Sequence, residues 1–350
     1  MLVIYWRDFF IEIKMNKCFS TSNFKMTRRL LLGASGAAVI GAATGRASAA
    51  SLPPVINMIV GYSPGGGTDM TARTIAPYLE KYLGGKSRIA VHNRPGAGGA
   101  IAFQAIASAI PDGGTIGFVN TPNLLTVPIE RKVGFTWESF ELLGNIVDDP
   151  TNFSVLSDTP IKNIAELVTY AKKNPGAVTV GSTGIGSDDH IAMLLLARAA
   201  GITLTHVPYA GSAAVHAAVA SKSLMVAGIN VGEALSYSKG GTPLRHLGQM
   251  SEIRAVIAPN LPTLKEQGYD IVMASLRGMA APKGMPPTVL AQLVEAVDKA
   301  ANDPAFKERS AKMFTPLRFL GPAAFSKELA ETERGFKKLW QELPWTEFKA

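Results

Sequence analysis

The alternation of short apolar runs with longer amphipathic segments is the feature that most constrains the fold of this chain. Strand-length apolar runs occur at residues 55–60, 88–91, 115–119, 153–156, 178–181, 204–207, 224–229 and 253–258. Segments with helical periodicity lie at residues 68–83, 98–109, 162–173, 188–200, 211–220, 287–302, 304–313 and 323–340. Because alternating strands and helices form mostly parallel sheets, this pattern predicts an α/β fold.

Residues 28–49 have the features of an export signal. Arg28-Arg29 precedes the apolar run Leu30–Ala43, and Ala47-Ser48-Ala49 follows it. A positive start, a short apolar centre and a small-x-small end are typical of a cleaved signal, and the run is too short for a membrane anchor. We predict that residues 26–49 are a signal peptide cleaved near Ala49, for a periplasmic protein, and that residues 1–25 are a start-site extension. Sec and twin-arginine export both fit, and a retained N-terminal helix is the alternative.

Cleavage after Ala49 changes what the composition implies. It removes the only cysteine, Cys18, and it lowers the formal charge from +8 to +3. So small a positive charge gives little support to nucleic-acid binding. The remaining residues, roughly 300, are enough for two domains of ordinary size. The scattered histidines form no metal-binding motif, and we expect His190 to pack on an apolar helix face.

Residues 61–65 read GYSPG, which matches the G-x-S-x-G elbow of serine hydrolases. In those enzymes the N–H of the residue after the nucleophile forms half of the oxyanion hole. Here that residue is Pro64, which has no N–H, and no histidine stands in a recognisable context for the base. We therefore predict that Ser63 is not a nucleophile and that the chain has no catalytic residues. An exported esterase is the less favoured alternative.

Two stretches rich in glycine and hydroxyl groups each follow a strand and open a helix. In the first, residues 64–67 read PGGG and precede a helix that we expect Thr68 and Asp69 to cap. In the second, residues 181–187 read GSTGIGS and precede a helix from Asp188. Free N–H groups at a helix start favour an anion, although a plain glycine-rich turn is an alternative for the first stretch. Since phosphate and dinucleotide motifs are missing, we expect a carboxylate and no cofactor.

Several blocks of residues, in order along the chain, resemble the substrate-binding proteins of the tripartite tricarboxylate transporter family. They are Pro64–Asp69 with Ala72-Arg73, Asn93–Gly99, Pro111–Gly113, His206–Tyr209 with Gly211-Ser212, Pro262-Thr263 with Gly268, and Ala281-Pro282 with Gly284 and Pro286. The resemblance extends over about residues 53–340. It implies a type II periplasmic-binding-protein fold, with two α/β lobes joined by crossover strands and the ligand cleft between them.

The resemblance also implies the division of the chain and its partners. Lobe 1 would comprise residues 51–152 and 275–350, and lobe 2 residues 153–274, with crossovers near 145–153 and 274–281. Such a protein acts as a monomer that captures a small carboxylate and delivers it to a membrane permease. A ligand sensor for a membrane signalling partner would use the same site and is the alternative.

Eleven residues acquire ligand-binding roles by this resemblance. In lobe 1 they are Tyr62, Ser63, Gly67, Thr68 and Asp69. In lobe 2 they are Ser182, Thr183, Gly186, Ser187, Asp188 and Asn230. For Asp69, capping of the first helix is an equal alternative.

Three residues depart from the family pattern. Asp188 stands where the family has Ser or Thr, Glu233 where small or apolar residues are usual, and Arg277 where an aromatic residue is common. Asp188 either caps its helix or faces the cleft, where it would need an ammonium, amide or hydroxyl partner. Arg277 would hold a second ligand carboxylate or pair with an acid at the lobe junction. We therefore expect an amino or hydroxy acid to be preferred over a plain dicarboxylate.

Overall fold

The computed structural model describes residues 51–346, so the predicted signal peptide and N-terminal extension lie outside the described residues. The strands are β1 (Val55–Val60), β2 (Arg88–Asn93), β3 (Thr115–Asn120), β4 (Phe140–Leu156), β5 (Thr179–Ser182), β6 (Thr205–Pro208), β7 (Val226–Asn230), β8 (Leu244–Gln249), β9 (Ala274–Pro282) and β10 (Leu317–Leu320). The helices are α1 (Gly67–Tyr82), α2 (Ala100–Ala107), α3 (Asn123–Glu130), α4 (Ile164–Lys173), α5 (Asp188–Ala200), α6 (Ser212–Ala220), α7 (Val231–Lys239), α8 (Pro287–Asn302), α9 (Pro304–Lys312) and α10 (Pro322–Glu342). The predicted α/β class is confirmed.

The strand predicted at 253–258 is wrong. This segment is irregular, and its apolar side chains Ile253 and Val256 are 81% and 95% exposed. Its backbone bonds instead to the buried side chain of Gln249, which accepts from the Ala255 N–H and donates to the Ala258 carbonyl oxygen. A side chain satisfies the polar backbone groups here, so no neighbouring strand is needed.

Strand β4 connects the two halves of the sheet. Its residues 140–150 pair antiparallel with β9, and its residues 151–154 pair antiparallel with β7. Beyond β9 lie β3, β1 and β2, and beyond β7 lie β5 and β6. Strands β8 and β10 also pair with β4. The pairs β1–β2, β1–β3, β5–β6 and β5–β7 are parallel, as the alternating pattern predicts.

Three helices begin shortly after the carboxyl ends of parallel strands. α1, α5 and α7 each begin within seven residues after the carboxyl end of β1, β5 and β7, respectively. α1 is anchored by Ala72, Ile75 and Leu79, which are buried in one cluster with Val289 and Leu293 of α8. Burial of a side chain as large as that of Ile75 or Leu79 stabilises the fold by about 1.5–3 kcal/mol. Within residues 51–346, no helix has both the length and the apolar character needed to cross a bilayer.

Candidate functional site

A small polar cavity lies where the starts of α1, α5 and α7 meet the end of β3 and the first half of β9. Its volume is about 20 Å³, which is room for roughly one water molecule. The residues that line it are Tyr62, Gly67, Thr68, Asn120, Asn123, Thr183, Asp188, Ser212, Asn230, Glu233, Ser275 and Arg277.

The structure brings together only part of the set of ligand-binding residues predicted from the sequence. Six of the eleven line the cavity: Tyr62, Gly67, Thr68, Thr183, Asp188 and Asn230. Five lie outside its lining: Ser63, Asp69, Ser182, Gly186 and Ser187.

In the first loop, Ser63 and Asp69 hold the backbone in place. Both the N–H and the hydroxyl of Ser63 donate to the carbonyl oxygen of Ala210, each at 3.0 Å. The Asp69 carboxylate accepts from the Gly65 N–H at 2.9 Å and from Arg73 Nε at 3.0 Å. Burial disfavours the charged form of Asp69, but these hydrogen bonds outweigh it and hold its pKa below the usual value. Asn93 joins Asp69 to the Tyr62 carbonyl, so both acceptors are fixed by one amide.

The predicted cap of α1 by Thr68 and Asp69 is wrong. The helix begins at Gly67 with Gly66 as its N-cap. The Gly67 N–H donates to Glu233 Oε1 at 2.9 Å, while Glu233 Oε2 accepts from the Asn230 N–H at 3.1 Å. One buried carboxylate therefore binds the starts of both α1 and α7, where helix dipoles favour a negative charge.

In the second loop, Ser187 is the N-cap of α5. Its hydroxyl accepts from the His190 N–H at 3.2 Å. Capping of α5 by Asp188 is therefore wrong. The Asp188 carboxylate points elsewhere, because its Oδ2 accepts from the Thr151 hydroxyl at 2.6 Å and from Asn230 Nδ2 at 2.7 Å. The Asp188 carboxylate is thus part of the cavity wall.

Three other residues of this loop bond to neighbouring side chains. The N–H and hydroxyl of Thr183 donate to Asp189 Oδ2 at 3.1 and 2.7 Å. The Gly186 N–H donates to His190 Nδ1 at 3.2 Å, at a positive φ of 72° that suits glycine. The Ser182 hydroxyl lies 2.6 Å from Nε2 of His206. These bonds fix the conformation of the loop.

The rings of His190 and His206 stack with their centroids 3.9 Å apart. His190 is buried, as predicted. Burial lowers the pKa of His190 to about 3 and that of His206 to about 4, which keeps both rings neutral. Across residues 51–346, no three His, Cys, Asp or Glu side chains are placed to hold a metal ion.

Arg277 is the only cation among the residues that line the cavity, and it is 2% exposed. Strand register sets its position, since β9 places it opposite Asn120 of β3 and Val147 of β4. Its Nη2 donates to Asp149 Oδ2 at 3.2 Å, to Asn230 Oδ1 at 3.1 Å and to Glu233 Oε1 at 3.2 Å. Burial raises the pKa of Asp149 to about 7, against the opposing effect of Arg277. Asp149 was not anticipated from the sequence.

Four buried carboxylates therefore lie in and behind the cavity wall, and Arg277 pairs with two of them, those of Asp149 and Glu233. The four carboxylates belong to Asp149, Asp188, Asp189 and Glu233. Burial raises the pKa of Asp188 and that of Asp189, and the negative charge of Asp188 raises the pKa of Asp189 further. A group so rich in acids is stable only with its hydrogen bonds in place or with added positive charge.

Four other lining residues were given no ligand-binding role from the sequence: Asn120, Asn123, Ser212 and Ser275. Asn120 is the last residue of β3, and Ser212 is the first of α6. Polar residues at the carboxyl end of a strand or at a helix start are the signal that could have found these two.

Comparison with known proteins gives one consistent result. A model of the tripartite tricarboxylate transporter family receptor matches residues 71–316. A Cupriavidus necator protein described as "UPF0065 protein in gbd 5'region" is 32% identical over 328 residues, which cover 91% of this chain and 98% of that protein.

Solved structures agree with the observed architecture. The periplasmic binding protein BugD has a TM-score of 0.77 and 29% identity, with coverage of 82% of this chain and 97% of BugD. MatC of Rhodopseudomonas palustris, solved with bound malate, has a TM-score of 0.75 and 23% identity, with coverage of 82% and 99%. The periplasmic-binding-protein fold predicted from the sequence is confirmed.

Proposed function

The chain belongs to the tripartite tricarboxylate transporter receptor family, and we propose that it captures a small carboxylate in the periplasm and delivers it to a membrane transporter. The family is one of solute-binding receptors and not of enzymes. We propose further that the protein is exported by the signal peptide at residues 26–49 and acts as a monomer.

The observation that carries the carboxylate class is the buried guanidinium of Arg277. Every hydrogen bond that its side chain makes to the described residues comes from Nη2. Its Nη1 lies against the start of α1, 2.6 Å from where a Cβ on Gly67 would stand. A guanidinium presents donors in a planar fork that matches the two oxygens of a carboxylate. The malate bound by MatC supports the same ligand class.

Several hydrogen bonds cross between opposite sides of the cavity in this structure. They include those that join Gly67 to Glu233, Ser63 to Ala210, and Thr126 to Gly186. We propose that they join lobe 1 (residues 51–152 and 275–350) to lobe 2 (residues 153–274). Since the cavity holds about one water molecule, a dicarboxylate enters only when the lobes separate, as in hinged binding proteins.

The proposed contact residues are the six predicted residues that line the cavity, together with Arg277. The five predicted residues outside the lining act by holding the two loops in position. Position 67 accepts no residue larger than glycine, because a Cβ there would collide with Glu233 and with Arg277.

A thermal-shift screen of ligand-free mature protein tests this function. Organic acids such as malate, adipate and glutamate should raise the melting temperature more than glucose or nucleosides do. At 100 times Kd, binding adds about 2.7 kcal/mol of stability. Gly67→Ala should abolish the shift, whereas Gly335→Ala, with open space around its Cβ in α10, should leave it unchanged. A screen in which only sugars or nucleosides stabilise the protein would refute the carboxylate function.

A further inference from the structure

The charge balance of the cavity constrains the ligand more narrowly than the carboxylate class does. Asp188 and Glu233 line the cavity, with Asp149 and Asp189 buried close behind them, and all four are at most 6% exposed. Arg277 already bonds to two of these carboxylates. A dicarboxylate would add two further negative charges to a site walled mostly by buried side chains, where like charges repel strongly.

The position expected for a ligand anion is also occupied by the protein itself. The Gly67 N–H at the start of α1 bonds to Glu233 Oε1, and the Asn230 N–H beside the start of α7 bonds to Glu233 Oε2. Donors that remain for a ligand carboxylate include Nη1 of Arg277 and the hydroxyl of Thr68, which accepts from Asn120 Nδ2. The acidic side chains of the cavity wall would be compensated by a ligand that brings positive charge and hydrogen-bond donors.

A buried acceptor without a partner, Oδ1 of the lining residue Asn120, also favours a ligand that brings a hydrogen-bond donor. Asn120 is 3% exposed and donates from Nδ2 to the Thr68 hydroxyl at 2.8 Å. Its Oδ1 is buried and has no hydrogen-bond partner among the described residues. A buried acceptor without a partner is costly, so a ligand that brings an N–H to the cavity is favoured over one that brings only oxygen acceptors.

The geometry also favours an organic cation over a metal ion as the positive group in the cavity. No three acidic or histidine side chains within residues 51–346 are placed to hold a metal ion. The Asp188 carboxylate is available to an organic cation, because Ser187 and not Asp188 caps α5 and the Asp188 carboxylate lies in the cavity wall. An ammonium group needs only hydrogen-bond acceptors around it, which the wall supplies.

We propose that the solute carries a positively charged nitrogen as well as a carboxylate, and that Asp188 and Glu233 hold this nitrogen while Arg277 holds the carboxylate. The ligand is then a small zwitterion of the amino-acid type. This inference rests on the proposed carboxylate-binding function and narrows it. It makes Asp188 and Glu233 the residues that determine specificity.

Calorimetry with matched series of acids tests the inference. Each series keeps one carbon skeleton and changes one substituent from amino to hydroxyl to hydrogen, as in aspartate, malate and succinate, or glutamate, 2-hydroxyglutarate and glutarate, or alanine, lactate and propionate. In the series that binds, the amino member should bind at least 100-fold more tightly than the other two.

Substitutions of Asp188 and Glu233 then test whether these residues cause the preference for the amino acid of each series. Asp188→Asn and Glu233→Gln keep the size and one acceptor oxygen of each side chain but remove its charge, and each should reduce the amino preference at least tenfold. The control Asp148→Asn removes a carboxylate that pairs with half-exposed Arg318 outside the cavity lining, and it should leave the preference unchanged.

The outcomes separate the two proposals. If hydroxyl or hydrogen members bind as tightly as their amino counterparts, the zwitterion inference is overturned and the carboxylate function stands. If no acid of any series binds, the carboxylate function fails, and this inference fails with it. If a variant does not fold, the wild-type series alone decides the ligand class.

Discussion

Replacing Arg277 with methionine should destabilise the protein by about 3–5 kcal/mol, because buried acids would lose the cation that compensates them. The guanidinium is 2% exposed and bonds through Nη2 to Asp149, Glu233 and Asn230. Methionine fills much of the same volume, so the loss comes from charge rather than from a cavity. For a chain of this size the melting temperature should fall by roughly 6–10 °C, at about 2 °C per kcal/mol.

The pH dependence of this loss has a definite sign. Burial raises the pKa of Asp149 to about 7 from its ordinary value of 3.8. An acid whose pKa is higher in the folded state costs stability progressively as the pH rises from its unfolded-state pKa to its folded-state pKa. Without Arg277 the folded-state pKa of Asp149 rises further, so this window extends to higher pH. The variant should therefore be more strongly destabilised, relative to the wild type, at pH 8 than at pH 6.

Urea unfolding followed by circular dichroism at pH 6 and pH 8 measures both quantities. Arg318→Met is the matched control, because Arg318 is half-exposed and pairs with Asp148 and Glu328. Exposed pairs contribute about 0–1 kcal/mol, so this control should lose no more than that. A loss of stability for Arg277→Met no larger than the control's, or one that is equal at both pH values, would refute the argument that Arg277 compensates the charge of the buried acids.

Two further predictions concern the stacked histidines and the N-terminus. Because burial lowers the pKa of His190 to about 3 from 6.5, the neutral ring costs the fold about 2 kcal/mol as the pH falls from 8 to 5. His190→Asn keeps an acceptor for the Gly186 N–H and should flatten this loss in urea titrations at the two pH values, whereas an unchanged slope would assign the acid sensitivity elsewhere. Intact mass spectrometry of periplasmic protein should show a chain that begins at Ala50, and recovery of an uncleaved membrane-bound chain would contradict the export signal.

Local pattern was sufficient for most helices and for the parallel strands. α5 and α8 have the predicted bounds, 188–200 and 287–302, because helical periodicity and turn residues act over a few neighbouring positions. The prediction failed where local pattern is weak. The elements α3, α7, β8 and β10 were missed, and β9 was expected only as a crossover near 274–281 from the family resemblance. Strand β4 begins 13 residues before the predicted strand at 153–156. Long strands whose partners lie far along the chain depend on pairing more than on their own sequence.

The candidate site shows the same division. Glycine and hydroxyl residues after β1 and β5 indicated two of the loops that form the cavity, since strand ends and helix starts are local features. The tertiary structure alone decided how these groups are satisfied. Glu233 caps α1 from 166 residues away, and Arg277 bonds to Asp149 from 128 residues away. In the sequence, Asp188, Glu233 and Arg277 already favour an amino or hydroxy acid. Buried polar groups must find partners wherever the fold places them, and for that reason the charge balance of the cavity, which narrows this expectation to a zwitterion, could be derived only from the folded chain.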